Sequence, residues 1–212
     1  MCGRYALHSH PDVVALQFGL ASLPEFAPRY NIAPSARILV VRNDGGALVR
    51  WGFVPRWAKD PSIGARMNNA RAETVAEKPS FREAYRKRRC LVPANGFYEW
   101  KRERTFKQPY YVRPSSGELF AFAGVWESWN GPQGPLETCA IVTTEANAAM
   151  RPVHERMPVI LSRDDYGHWL AGDGDLLRPC APEGIVVHAV SRAVNDARNE
   201  SPALIEPLEP AR

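Results

Sequence analysis

The sequence has no run of about 18 apolar residues, the length a membrane-crossing helix needs. Its opening stretch carries His8, Pro11 and Asp12 in place of the apolar core of a secretory signal, so a cytosolic protein is expected. Cysteine is scarce. Cys2, Cys90, Cys139 and Cys180 lie far apart and no two form C-x-x-C. That spacing argues against a zinc site, even with His8 and His154 as further donors, and against a disulfide framework in a cytosolic chain. No metal and no cofactor is expected. There is no internal repeat, low-complexity tract or long linker, and no heptad or broad apolar helix face, so a monomer is the default.

What is present suits one folded unit. The 212 residues are 45% apolar, enough for a buried core. The net charge is +4 with a pI near 9.0, and the cations cluster in RKRR (Arg86 to Arg89) and KRERTFK (Lys101 to Lys107). Such a balance favours an anionic partner, nucleic acid first, although the same runs suit a solvated surface.

PDVVALQFG (Pro11 to Gly19) reads as a short helix with proline in its first turn and glycine past its end. RILVVRNDGGALVRWGFVP reads as a hairpin turning at Asn43-Asp44-Gly45-Gly46. WAKDPSIGARMNNARAET shows no period and is expected as loop. SFREAYRKRR (Ser80 to Arg89) reads as a helix with a Ser80/Glu83 capping box and a basic last turn. From Cys90 the chain turns strand-rich: CLVPANGFYEWKR, QPYYVR, ELFAFAGVWESW and LETCAIVTT, then VHERMPVIL and GIVVHAVS. SRDDYGHWLAG carries a short helix capped by Ser162 or Asp164. Cys90 and Cys139 fall in apolar runs and read as inert core. These elements predict one α+β domain over residues 2–200, built on a curved, barrel-like, mainly antiparallel sheet with a few peripheral helices, followed by a loosely packed proline-rich tail over 201–212.

Five short clusters carry polar chemistry: MCGRY, YNIAPS, MNNARAET, ANGFYEW and RPVHERMP. If Met1 is removed, Cys2 has a free α-amine and a thiol on adjacent carbons, a pair that condenses with aldehydes as no internal cysteine can. Pro152 and Pro158 are expected to hold HERMP extended, with His154 and Arg156 on one side. Singly, each cluster has a plainer explanation: a surface carboxylate at Glu99 opposite Lys101, a structural histidine at His154, turn-forming asparagines at Asn31 and Asn69, and tryptophans in the core.

Taken together and in this order, MCGRY, YNIAP, NARAE, GFYEW and HERMP resemble the SRAP family, the SOS response-associated peptidases or abasic-site processing proteins, from Cys2 to about Val190. The resemblance implies a protein of the DNA damage response that senses abasic sites in single-stranded DNA. Cys2 would form a thiazolidine crosslink through its amine and thiol and so shield the lesion. It implies catalytic roles for Cys2, Asn69, Glu99 and His154. Asn69 would orient the amine and sugar, Glu99 would act as general acid and base, and His154 would move protons at the sugar, including imine reversal or strand scission. Arg4, Arg71 and Arg156 would contact phosphates, Pro34 and Trp100 would wedge against or stack on bases, and Thr143 would add a hydrogen bond. The partner implied is abasic single-stranded DNA in a bacterial cytoplasm, at the nucleoid on damage. Two other readings stay open: a thiol peptidase using Cys2, including removal of its own Met1, and a non-covalent single-strand binding module.

Overall fold

A computed structural model describes residues 2–173 and 175–208 of the chain. Its elements run β1 (Tyr5–Leu7), α1 (Pro11–Phe18), β2 (Arg29–Ile32), β3 (Arg37–Arg42), β4 (Gly45–Trp51), β5 (Asn69–Arg71), α2 (Arg82–Lys87), β6 (Arg89–Ala94) and β7 (Gly96–Arg102). There follow β8 (Lys107–Pro114), β9 (Phe120–Gly131), β10 (Gly134–Glu145), β11 (Arg156–Pro158), β12 (Ile160–Leu161), α3 (Asp165–Ala171) and β13 (Ile185–Ala189). Among the described residues no helix is long and apolar enough to cross a membrane.

Strands β10, β4, β3, β6 and β9 are neighbours in that order, and β9 pairs back onto β10, closing a five-stranded barrel. Closure depends on two long strands. Phe120 to Val125 of β9 pair with β6, while Gly124 to Gly131 pair with β10. A second, antiparallel sheet runs β13-β8-β7-β1-β2. The barrel-like α+β expectation is therefore met, with one refinement: β4 and β5 both pair with β10 in parallel. The core joins both sheets, with Tyr5 edge-on to Trp51 and to Phe122 at centroid distances of 5.4 and 6.1 Å.

The β3–β4 turn forms at Asn43-Asp44, and Gly45 has φ +118°, a conformation that side chains disfavour. Several local expectations fail. Residues 57–74 are not simply loop: Pro61–Arg66 forms a 3-10 turn and Asn69–Arg71 becomes β5. Three residues carry no period, so this strand exists only because β10 offers it a ladder. The Ser80/Glu83 capping box does not form. Backbone turns already run from Thr74 through Lys78 to Arg82, α2 starts at Arg82, and Glu83 instead faces Lys87 and Arg88. Asp164 precedes α3 without a side-chain cap, and Ser162 bonds the Asp165 carboxylate. The tail is not loose over its described part: Pro202–Ile205 forms a 3-10 turn, Leu204 is buried, and Leu208 N donates to Ala189 O at 2.9 Å. Residues 209–212 lie outside the described residues.

Much of the basic run RKRR is structural. Arg88 Nη2 bonds the buried Glu127 at 2.7 Å, and Glu127 also accepts from Arg56 Nε at 3.0 Å. The Arg89 guanidinium lies over Tyr85 and Trp169 at 4.2 and 4.5 Å. Arg86 and Lys87 alone of the four are exposed.

Gly96 opens β7, where a Cβ would lie 2.4 Å from the buried Tyr111 ring and 2.5 Å from Val112 O. Neither neighbour can move without disturbing the β7–β8 ladder. Gly96→Ala is expected to destabilise the fold by about 1–3 kcal/mol, read as a lower denaturant midpoint with unchanged slope. An unchanged midpoint would mean that the ladder relaxes freely.

Candidate functional site at the seam of the two sheets

Strand β1 lies between β7 and β2, with Tyr5 opposite Phe97. The ladder continues past the end of β1, since Tyr98 N donates to Arg4 O at 2.9 Å. That register carries Cys2 towards Glu99. From the barrel side, β5 lies along β10 with Asn69 opposite Ile141. Asn69 Nδ2 donates to Cys2 O at 2.7 Å, and Asn68 Nδ2 reaches the same oxygen at 3.5 Å. Asn68 is anchored in turn, its carbonyl accepting from Trp51 Nε1 at 2.8 Å. Cys2 is thus held from both sheets.

Cys2 is fully buried and Glu99 is 4% exposed. Burial first, and the nearby Glu99 charge second, push the Cys2 thiol pKa well above its ordinary value, so the sulfur is protonated at neutral pH. Glu99 Oε1 accepts from Trp100 N at 3.2 Å. Asn69 Oδ1 is buried and has no hydrogen-bond partner among the described residues, a costly state unless something arriving at the site satisfies it. The expected loss of Met1 lies outside the described residues.

Glu99, whose charge acts on Cys2, lines a polar cleft of about 430 Å³ with Trp100, Lys107, His154 and Asn195. Two catalytic candidates, Glu99 and His154, thus share one space although 55 residues separate them in sequence (positions 99 and 154). His154 is not on an extended strand as the flanking prolines suggest. Its N–H closes a turn onto Met150 O, and its Nδ1 accepts from Arg156 N at 2.9 Å. In the neutral ring that bond leaves the proton on Nε2. His154 and Arg156 consequently diverge: the histidine lines the cleft and the guanidinium turns to Glu73, with Nη2 to Oε2 at 3.0 Å and Nη2 to Thr143 O at 2.6 Å.

The remaining candidates divide. Trp100 sits on the cleft with its indole N–H donating to Asn195 Oδ1 at 2.7 Å. Arg71 is exposed on β5, and Pro34 is half-buried between β2 and β3. Arg4 is engaged internally, its Nη1 donating to Asn31 Oδ1 and Val194 O, each at 2.7 Å. Asn31 is no turn former: it is buried and its Nδ2 donates to Asp196 O and Asn199 O at 3.0 and 2.9 Å, pinning the chain's late segment beneath the site. Thr143 is fully buried, its hydroxyl donating to Ala70 O at 3.3 Å, which places it behind β5. Asn195 escapes sequence reasoning because its 3-10 turn carries no motif. Trp57 escapes it as one tryptophan among several, yet it is 61% exposed beside Lys59 and Arg66. The four cysteines are unbonded, and among the described residues no group of three or more His, Cys, Asp or Glu could hold a metal.

A chain that enters its first strand just after Cys-Gly-Arg, between a small barrel and a second sheet, with Glu99 beside the cysteine and sharing a cleft with His154, has a sequence that matches the SOS response associated peptidase (SRAP) profile over residues 1–197, and it belongs to that family. Among its relatives, the abasic site processing protein YoqW of Bacillus subtilis is 46% identical over 97% of this chain and 99% of that one. The abasic site processing protein YoaM of the same organism is 43% identical over 97% and 98%. A solved protein from Bacteroides thetaiotaomicron superimposes with a TM-score of 0.87 at 26% identity, covering 98% of this chain and all of that one.

The Arg156–Glu73 pair ties β11 to the turn after β5 and has a pH signature. Hydrogen bonding from Arg156 holds the Glu73 carboxyl below its ordinary value. A depressed acid stabilises the fold above its unfolded pKa, about 4.3, and loses that contribution as pH falls through the folded value. Glu73 is half-exposed, so less than about 1 kcal/mol is at stake. The melting-temperature gap between the native protein and Glu73→Gln should be present at pH 7 and shrink as pH falls below about 4.3. A gap of constant size across that range would remove the ion pair as its cause.

Proposed function

We propose that this protein processes abasic sites in single-stranded DNA by capturing the open-chain aldehyde of the baseless sugar on Cys2 after loss of Met1. The observation that carries the proposal is the convergence on Cys2: its carbonyl held by Asn69, its thiol beside Glu99, and a polar cleft shared by Glu99 and His154 next to it. The α-amine adds to the aldehyde carbon to give a carbinolamine, which loses water to form an imine. The sulfur then adds to the same carbon and its proton ends on the nitrogen, closing a five-membered thiazolidine. The net change is loss of one water. Closure is intramolecular and so has the advantage of high effective concentration.

Each nearby group has a task in that sequence. Glu99 exchanges protons with the sugar oxygen during ring opening and dehydration, and as a carboxylate it receives the thiol proton as sulfur attacks. The raised thiol pKa keeps the sulfur from reacting early, so the amine acts first. Asn69 Oδ1 accepts from the amine or a sugar hydroxyl. His154, with its proton on Nε2, serves the sugar side and the reverse reaction, and strand scission by β-elimination would use the same imine. Trp100, held by Asn195, offers a face for a base beside the lesion, and exposed Trp57 offers a second; such stacking contributes about 1–3 kcal/mol per base. Lys107 and Arg71 are the cations placed to meet phosphates, whereas Arg156 and Arg4 act mainly as internal clamps.

The family description includes the word peptidase. A lowered thiol pKa would favour a thiol peptidase, and burial raises that of Cys2. Release of Met1 remains compatible with the aldehyde chemistry.

Abasic single-stranded DNA mixed with the protein and run on a denaturing gel should give a shifted band. Cys2→Ala should give none, and an acetylated Cys2 amine should also abolish it although the thiol remains. Full-strength crosslinking by the acetylated protein would overturn the amine-first order. Glu99→Gln should slow crosslinking by about 10²-fold or more with binding retained. Because only the neutral amine attacks, the single-turnover rate should rise with pH up to about 7.7–8.0 and then level off. A rate that falls steadily from pH 6 to 8 would contradict the assignment of the nucleophile.

A further inference from the structure

Outside the Cys2 cleft, one feature of the barrel wall works against the stability of the fold. Arg37 on β3 and Arg50 on β4 are direct cross-strand partners, so both guanidinium groups leave the same face of the sheet. Like charges so placed repel, and among the described residues neither side chain makes an ion pair or a hydrogen bond. They line a groove of about 450 Å³ with Ser35, Leu48, Leu136 and Glu137. The carboxylate in that group is already taken: Glu137 holds Arg42 in a two-bonded fork at 2.9 and 2.8 Å, and Arg42 is itself buried against Trp126 at 3.7 Å. The groove keeps a surplus of two positive charges.

Ser35 strengthens the case. It is the one non-glycine residue with positive φ among the described residues, at +73°, and its backbone N–H is fixed to Trp51 O at 2.7 Å. A serine in this strained conformation, immediately after Pro34, leads into β3 at Arg37 and lines the same groove. The connection to the site is short: Trp51 bonds Asn68, and Asn68 reaches Cys2 O.

We infer that the Arg37–Arg50 groove binds backbone phosphates of the same single strand whose abasic sugar occupies the Cys2 cleft, beyond the nucleotides that touch that cleft. The inference rests on the function proposed above. Two guanidinium groups on one sheet face match the spaced anions of a phosphodiester chain and offer two-bonded contacts to its oxygens. Half-buried Leu48 and Leu136 supply a floor for sugar or base edges without reading sequence. A phosphate between the arginines would relieve the repulsion that the free fold carries.

The test uses an undamaged single-stranded oligonucleotide, so that covalent chemistry plays no part, with affinity followed by fluorescence anisotropy across a salt series. Arg37→Gln/Arg50→Gln should lower the slope of log affinity against log salt by about 1.4, from about 0.7 per phosphate contact, and weaken binding about tenfold near 0.15 M salt. Crosslinking to saturating abasic DNA should keep its wild-type rate. Arg37→Gln alone, at an exposed position, should remove about half of the slope change and serves if the double variant folds poorly. Arg86→Gln/Lys87→Gln removes the same charge from α2 and should leave the slope within experimental error of wild type. A double variant that binds like wild type, or a control that loses as much as the double variant, would overturn the groove. Failure of the covalent reading is scored separately, as absence of a Cys2-dependent adduct with wild-type protein.

Discussion

The hydrogen bond from Asn69 Nδ2 to Cys2 O, at 2.7 Å, is the constraint on which the site depends. A residue beside a chain terminus ordinarily frays, because few contacts oppose its conformational entropy. Here the carbonyl of Cys2 is held by Asn69 of β5, and two residues further on the chain joins the β7 ladder at Arg4 O. The bond requires β5, and β5 is three residues long and stands only because β10 pairs with it. Barrel closure and placement of Cys2 are thus one structural event.

Charge in this protein is spent first on holding the fold. Arg88 and Arg56 meet across buried Glu127, Arg42 grips Glu137 under Trp126, Arg156 grips Glu73, and Arg4 carries Asn31 and the carbonyl of Val194. The guanidinium group suits this work, since it stays charged when half-buried and satisfies two acceptors in one plane. A modest net charge of +4 therefore conceals two populations. One is engaged by partners within the fold. The other, which includes Arg37, Arg50 and Lys107, faces open grooves.

Where local chemistry dominates, sequence and structure agree. The β3–β4 hairpin follows from Asn-Asp-Gly, α1 from Pro11 and Gly19, and the long strands β9 and β10 from dense apolar and β-branched residues. Where tertiary contacts dominate, they part. The Ser80/Glu83 pair has the spacing of a capping box, yet earlier turns consume the backbone groups it would cap. HERMP looks extended between its prolines, yet a turn through Met150 swings His154 into the cleft. Leu204 sits in a proline-rich ending yet fills a core site beside Tyr98 and Tyr111.

From the sequence by itself came the family resemblance, with the candidates Cys2, Asn69, Glu99 and His154 that it implies, and a barrel-like α+β fold. These are properties of residue identity and spacing, which survive without coordinates. Only the tertiary structure decided that burial, and after it Glu99, lifts the Cys2 thiol pKa, that Arg156 and Arg4 hold partners within the fold, that Asn195 holds Trp100, and that Arg37 and Arg50 stand side by side without a partner among the described residues. Each depends on distance between residues remote along the chain, and electrostatic and hydrogen-bond energies fall off within a few ångströms. No local pattern encodes such a distance; closing the barrel against the second sheet does.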